Sequence, residues 1–176
     1  MSFATKPAFV HYSDFDSTSR KHPAMEWMER YRDDYDSGSF DPKWYAPDFT
    51  YVAPDGTVHE GREKALEALK ALYGPLPAWR HEATYLNCIE TDFGYEAIGK
   101  ATMWALLPGE PAAGETKKKD GNGKSWDLNG PGSFRFHYIK DGDSFLLKRT
   151  EINADTAPIA IGMVKRGVIT AKDLGI

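Results

Sequence analysis

The sequence predicts an α+β domain, with a curved, mostly antiparallel sheet wrapped on about three N-terminal helices. Helical periodicity is concentrated before Pro75, and long strand-like runs fill the chain after Pro77. Turn signals such as Pro54-Asp-Gly56 and Asp141-Gly-Asp143 join the runs tightly enough for hairpins. Elements grouped this way segregate helices to one face of the sheet. Long strands twist and curl, so helices laid in the concavity leave a cone-shaped space at the wide end.

Residues 1–23 form a polar arm without sustained periodicity, expected to pack through Phe9, Tyr12 and Phe15. Pro23 suits the position just ahead of a helix, and the first helix runs to about Asp36. Trp27, Tyr31 and Tyr35 recur every four residues beside Met28, which puts an aromatic stripe on one face. Asp36 sits at the C-terminal end, where a carboxylate opposes the helix dipole. Ser37-Gly-Ser39 breaks the helix, and Asp41-Pro42 opens a short second one through Trp44 and Tyr45. Residues 48–53 alternate as a strand with Phe49 and Tyr51 on one face, and residues 57–59 return as its short partner. Residues 61–73 are the clearest helix, with Leu66, Leu69, Leu72 and Tyr73 together and Gly74-Pro75 ending it.

Strands are then expected over 80–90 and 95–107, and again over 133–140 and 144–153. Between the pairs, residues 108–132 are rich in Gly, Pro and Lys and read as a mobile loop insertion, with Trp126 and Leu128 as anchors. The core domain spans 24–155. The tail, 156–176, is expected to dock on it, with an apolar segment at 158–164 suited to a helix. No internal repeat and no second domain are evident.

Composition narrows the function. Across 176 residues the net charge is −4, and the one basic run is Lys117-Lys-Lys119 inside the Gly-rich stretch. Nucleic-acid binding needs a clustered basic face and is disfavoured. The single cysteine, Cys88, excludes an internal disulfide and fits a reducing compartment. Without a secretory leader or an apolar run of spanning length, the expected location is cytoplasmic, away from membranes. The five histidines show no metal-ligand spacing, and no Gly-rich phosphate cradle follows a strand, so no metal or cofactor is implied. Twenty-three aromatic side chains, in nine Phe, nine Tyr and five Trp, suit a thick core or a ring-lined pocket.

The element order, with Trp44-Tyr-Ala-Pro-Asp-Phe-Thr-Tyr51 and Gly61-Arg-Glu-Lys-Ala65, resembles the NTF2-like (cystatin-cone) superfamily, its SnoaL-like branch most closely, over about residues 24–155. That superfamily includes polyketide cyclases, isomerases, dehydratases and non-catalytic carriers, so the resemblance implies an internal pocket more firmly than one chemistry. Tyr35-Asp-Ser37, Phe40 and Ala46-Pro47 are similar to the entry segment of scytalone dehydratase, where Tyr and Asp line the pocket and the Asp orients a histidine. His81 falls where that family carries one catalytic histidine. The histidine its aspartate orients would fall at Thr102 or Met103, which leaves His81 as the candidate partner of Asp36.

A cone enzyme needs one base and one donor for an enolate oxygen. The resemblance and residue chemistry together nominate His81, Asp36, Tyr35 and Tyr51 as catalytic. Tyr31, Trp104, Phe136 and Glu151 are nominated to bind ligand, Glu151 because SnoaL-like cyclases place an acid in the final strand. Each has a plainer reading. His81 suits a strand-edge histidine, Asp36 can bond the Ser37-Gly-Ser39 turn as an Asx cap, and Tyr31 and Tyr35 suit core rings. His137 reads as structural and His59 as exposed. Three functions follow: a cofactor-independent lyase or isomerase of secondary metabolism, dehydrating, isomerising or cyclising a small hydrophobic oxygenated metabolite; a binding protein with the same pocket; or an interaction module that forms a homodimer through the sheet.

Overall fold

The computed structural model describes residues 7–175; residues 1–6 of the expected arm, and Ile176, lie outside the described residues. The first strand, β1 (Phe9–His11), leads through a loop and a short 3₁₀ turn into α1 (Pro23–Asp36). Pro23 occupies the first turn, where its missing N–H costs nothing. The stripe faces inward: Trp27, Met28, Tyr31 and Tyr35 are all buried, together with Ala24 and Met25. Burying each large side chain of this kind stabilises the fold by about 1.5–3 kcal/mol. Gly38, at φ 88°, takes the left-handed turn that ends the helix region.

A 3₁₀ turn (Pro42–Trp44), capped by the Asp41 side chain, leads into β2 (Tyr45–Val52) and the short β3 (Val58–Glu60). Then comes α2 (Arg62–Tyr73), with Ala65, Leu66, Leu69 and Tyr73 buried. Two long hairpins follow: β4 (Ala78–Glu90) with β5 (Gly94–Leu106), and β8 (Leu128–Asp141) with β9 (Ser144–Ala154). Between them lies a ribbon of β6 (Lys118–Lys119) and β7 (Ser125–Trp126). The main sheet has the order β1-β4-β5-β8-β9-β2-β3. Its pairings are antiparallel except β2 with β9, which is parallel. This is an α+β fold with α1 and α2 packed on one sheet face. No helix among the described residues is long and apolar enough to cross a membrane.

Two expectations are corrected. Tyr12 does not pack inward; it is 79% exposed, whereas Phe9 and Phe15 pack against the core. Residues 108–132 are not a plain loop: they carry the β6–β7 ribbon, and β8 begins at Leu128. The ribbon is held by a buried polar network rather than by strand length. Asp120 accepts from Arg80 at 2.8 Å, from the Trp126 indole at 2.9 Å, and from the Asn122 and Lys124 amides. Trp126 is buried completely, as an anchor should be. The tail forms α3 (Ala157–Lys165), docked by Arg166. That guanidinium donates to the Leu107 carbonyl at 2.8 Å and pairs with Asp127 at 3.0 Å and with Glu115.

Candidate active site

The concave face of the sheet and the inner face of α1 enclose a cavity of about 650 Å³, counting its open mouth. Its wall includes Met28, Tyr31 and Tyr35 from α1, Leu69 and Tyr73 from α2, and Phe134, Phe136, Thr150 and Ile152 from β8 and β9. Strand alternation explains the membership. His81 and Ala83 of β4 face inward while Arg80 and Glu82 face out, and in β8, two strands along, Phe134 and Phe136 face in while Arg135 faces out. The aromatic stripe is therefore one wall of the space. Tyr31 stacks on Trp27 at 5.6 Å, and its hydroxyl bonds that of Tyr45 at 3.1 Å. The rings of Tyr31 and Phe136 meet edge to face.

Room for this wall depends on a missing side chain. A Cβ on Gly99 of β5 would stand 2.4 Å from the Phe134 ring and 2.7 Å from the Tyr85 carbonyl oxygen. Glycine there lets the ring lie flat against the sheet.

Asp36 and His81 meet at the edge of the cavity. His81 Nδ1 lies 2.7 Å from Asp36 Oδ1, and the His81 backbone N–H donates to Asp36 Oδ2 at 2.8 Å. One carboxylate thus holds both ring and backbone of one residue. A carboxylate can only accept, so Nδ1 carries a proton and, in the neutral ring, Nε2 keeps its lone pair. That lone pair is met by the Tyr73 hydroxyl at 3.1 Å. The plainer reading of Asp36 fails: Asp34 bonds the turn, taking Ser39 Oγ at 3.0 Å and the Trp44 indole at 2.6 Å. The histidine paired with the aspartate is His81 itself. Met103, where a second histidine was expected, stands opposite His81 in the β4–β5 register.

Burial sets the phenol chemistry. Desolvation holds the hydroxyls of Tyr31, Tyr35 and Tyr73 well above the ordinary phenol range. They remain neutral hydrogen-bond donors throughout the neutral range. Arg32 also reaches the cavity wall, but its guanidinium is committed to Asp14 at 2.8 Å, Asp33 at 2.8 Å and the His81 carbonyl at 3.2 Å.

Of the nominated residues, His81, Tyr35, Tyr31 and Phe136 line this cavity, with Asp36 directly behind His81. Three others lie elsewhere. Trp104 is on the outer sheet face, its indole donating to Glu82 at 2.8 Å beneath the ribbon. A one-residue difference in register decides this, since Met103 is the inward neighbour. Glu151 also points outward, paired with Arg149 and Arg135, while its neighbours Thr150 and Ile152 point in. Tyr51 is buried core, stacked on His59 at 5.8 Å, with burial raising its hydroxyl to about 12. His137 faces outward against Phe93, and burial lowers its pKa.

Sequence reading missed Tyr73, Thr150 and Phe134. Tyr73 carried a usable signal, as the last apolar residue of α2 one short turn before β4. Thr150 carried none beyond alternation.

A second chamber adjoins the first. Tyr73, His81, Ala101, Phe134 and Ile152 line both, and the outer one adds Met103, Leu128, Pro131 and Ile159 of α3. His81 stands at the waist between them. Among the described residues, no group of three or more His, Cys, Asp or Glu side chains is placed to hold a metal ion. The Cys88 thiol is buried and pushed up to about 12, which makes it a poor nucleophile.

No protein-family model and no curated protein sequence matches this chain. Solved structures do. A protein from the NTF2-like family of Streptomyces avermitilis superposes with a TM-score of 0.62 at 10% identity, over 78% of this chain and 98% of that one. An uncharacterized protein with a cystatin-like fold from Caulobacter vibrioides gives 0.54 at 10%, over 82% and 95%. A hexachlorocyclohexane dehydrochlorinase, LinA type 2, gives 0.56 at 12%, over 80% and 90%. At these identities the likeness shows the fold: the NTF2-like, cystatin-like cone.

Proposed function

We propose that this cone is a small acid–base enzyme that eliminates water, or a comparable leaving group, from a hydrophobic oxygenated metabolite, with His81 as the base. The observation that carries the reading is the Asp36–His81 pair, held by two short hydrogen bonds, with the second imidazole nitrogen bonded only to the Tyr73 hydroxyl beside an apolar, aromatic-walled cavity. One structural neighbour is by name a dehydrochlorinase, which is also an elimination catalyst.

The chemistry follows from the protonation states. Asp36 fixes the tautomer and stabilises the imidazolium that forms on proton uptake, and His81 Nε2 is the lone pair available to a substrate C–H. Substrate displaces the Tyr73 hydroxyl from Nε2. For a β-hydroxy ketone, Nε2 takes the proton next to the carbonyl, and the resulting electron pair forms the C=C bond as the hydroxyl leaves. The imidazolium returns that proton to the departing oxygen, which leaves as water. The buried phenols of Tyr35 and Tyr73 are neutral donors suited to the developing enolate oxygen. Isomerisation and cyclisation begin with the same proton removal, so the site supports them by the same groups.

The test is turnover of the benzaldehyde–acetone aldol and a panel of related β-hydroxy ketones, followed by the ultraviolet absorbance of the enone. His81→Gln and His81→Ala are expected to lower kcat by about 10²–10⁴-fold, the usual worth of a general base, with the cooperative thermal transition retained. A wild-type protein that accepts none of the panel, or variants that match its rate, would sink the reading.

A further inference from the structure

The cavity has a polar atom that the elimination chemistry leaves unused. Thr150 lines the inner chamber with 4% of its surface exposed, and its hydroxyl has no hydrogen-bond partner among the described residues. Leaving a buried hydroxyl unpaired is costly. Phe136 is its register partner on β8, and Met28, Leu69 and Ile152 line the same chamber, where the Tyr31 hydroxyl is already bonded to that of Tyr45.

The two chambers differ in what they can accept. The inner one is ringed by aromatic faces, and its one guanidinium is neutralised by Asp14 and Asp33. The outer one, about 610 Å³ with its mouth, is lined by Met103, Leu128, Pro131, Pro158 and Ile159, and carries Asp155 at its rim. A carboxylate at the rim disfavours an anionic ligand. His81 and Tyr73 belong to both chambers.

We propose that the ligand is an uncharged molecule in two parts. A flat ring lies in the inner chamber with one oxygen hydrogen-bonded to Thr150, and an apolar substituent lies in the outer chamber against α3. The bond joining the two parts lies at the waist, beside His81. The placement of that reacting bond rests on the elimination reading; the ligand class and its two subsites do not. Thr150 is a positioning residue, and Ile159 sets the size of the substituent.

The probes are naphthalene, β-naphthol and a naphthol carrying a phenyl group, with affinity read by tryptophan quenching. Wild type is expected to favour β-naphthol over naphthalene by about fivefold, the worth of one neutral hydrogen bond. Thr150→Val keeps the shape and removes the hydroxyl. It should abolish that preference, leave naphthalene affinity unchanged and not lower the Tm, because no bond within the protein is lost. Ile159→Trp should weaken the phenyl-bearing naphthol at least tenfold while sparing β-naphthol.

A preference that survives Thr150→Val overturns the oxygen subsite. Equal weakening of both naphthols by Ile159→Trp, or no binding of any probe, overturns the two-part ligand. These outcomes are separate from the His81 result. Lost turnover in His81→Gln with an unchanged naphthol preference in Thr150→Val leaves elimination standing and this proposal refuted; the reverse pattern refutes elimination alone.

Discussion

Replacing Asp36 by Asn isolates what the carboxylate does, because shape is kept and only acceptor capacity changes. Asp36 accepts twice from His81, at 2.7 Å from the ring and 2.8 Å from the backbone, with its side chain 12% exposed. An amide has one oxygen and one NH₂. If the oxygen stays on the His81 backbone N–H, the NH₂ faces Nδ1 and donates to it. The imidazole must then carry its proton on Nε2, the atom that the mechanism needs bare. Exchanging one charge-assisted hydrogen bond for a neutral one costs about 1–2 kcal/mol, which lowers the Tm by roughly 2–8 °C in a chain of this size. The rate should fall far more, by about 10²–10⁴-fold in kcat, since the base is lost while the fold persists. The assay pairs aldol turnover with nitrogen NMR of the His81 ring, which reports the protonated nitrogen directly. A variant with Nε2 still unprotonated, or one within threefold of the wild-type rate, would refute the tautomer argument.

Gly99→Ala should narrow the cavity and destabilise the fold by about 1–3 kcal/mol, because its methyl meets the Phe134 ring and a backbone oxygen at once; thermal melting with β-naphthol titration checks both effects. Arg166→Ala should cost about 3 kcal/mol and free α3 to proteolysis, since a guanidinium 2% exposed leaves Asp127, itself 4% exposed, with Lys117 and the Leu107 amide alone. The same anchor predicts acid sensitivity. Burial alone would raise the Asp127 carboxyl, but hydrogen bonds from Lys117, Arg166 and Leu107 override it and hold it at about 2. Because the folded value lies below the unfolded one, the contribution is fully present above about pH 4 and is lost as pH falls towards 2. Protection of α3 should follow that curve.

Much of this molecule was legible in the chain itself. The four-residue spacing of Trp27, Tyr31 and Tyr35 sufficed to turn one helix face inward, because apolar periodicity and helical pitch are the same fact. Turn residues and strand alternation likewise determined α2, the two long hairpins and their order, and a carboxylate at the wrong end of α1 marked Asp36 as a group needing an outside partner. What only tertiary structure decided were matters of register and of contact between distant segments. A shift of one residue separates Met103 at the cavity from Trp104 outside it, and Thr150 within from Glu151 without. Local pattern is nearly blind to such a shift where both neighbours are large. Asp120 turned a Gly- and Lys-rich stretch into an anchored ribbon through Arg80, forty residues away. Asp36 found His81 forty-five residues on because the end of α1 abuts the start of β4. The sequence could name both members of that pair; only the packing of helix on sheet could make them one site.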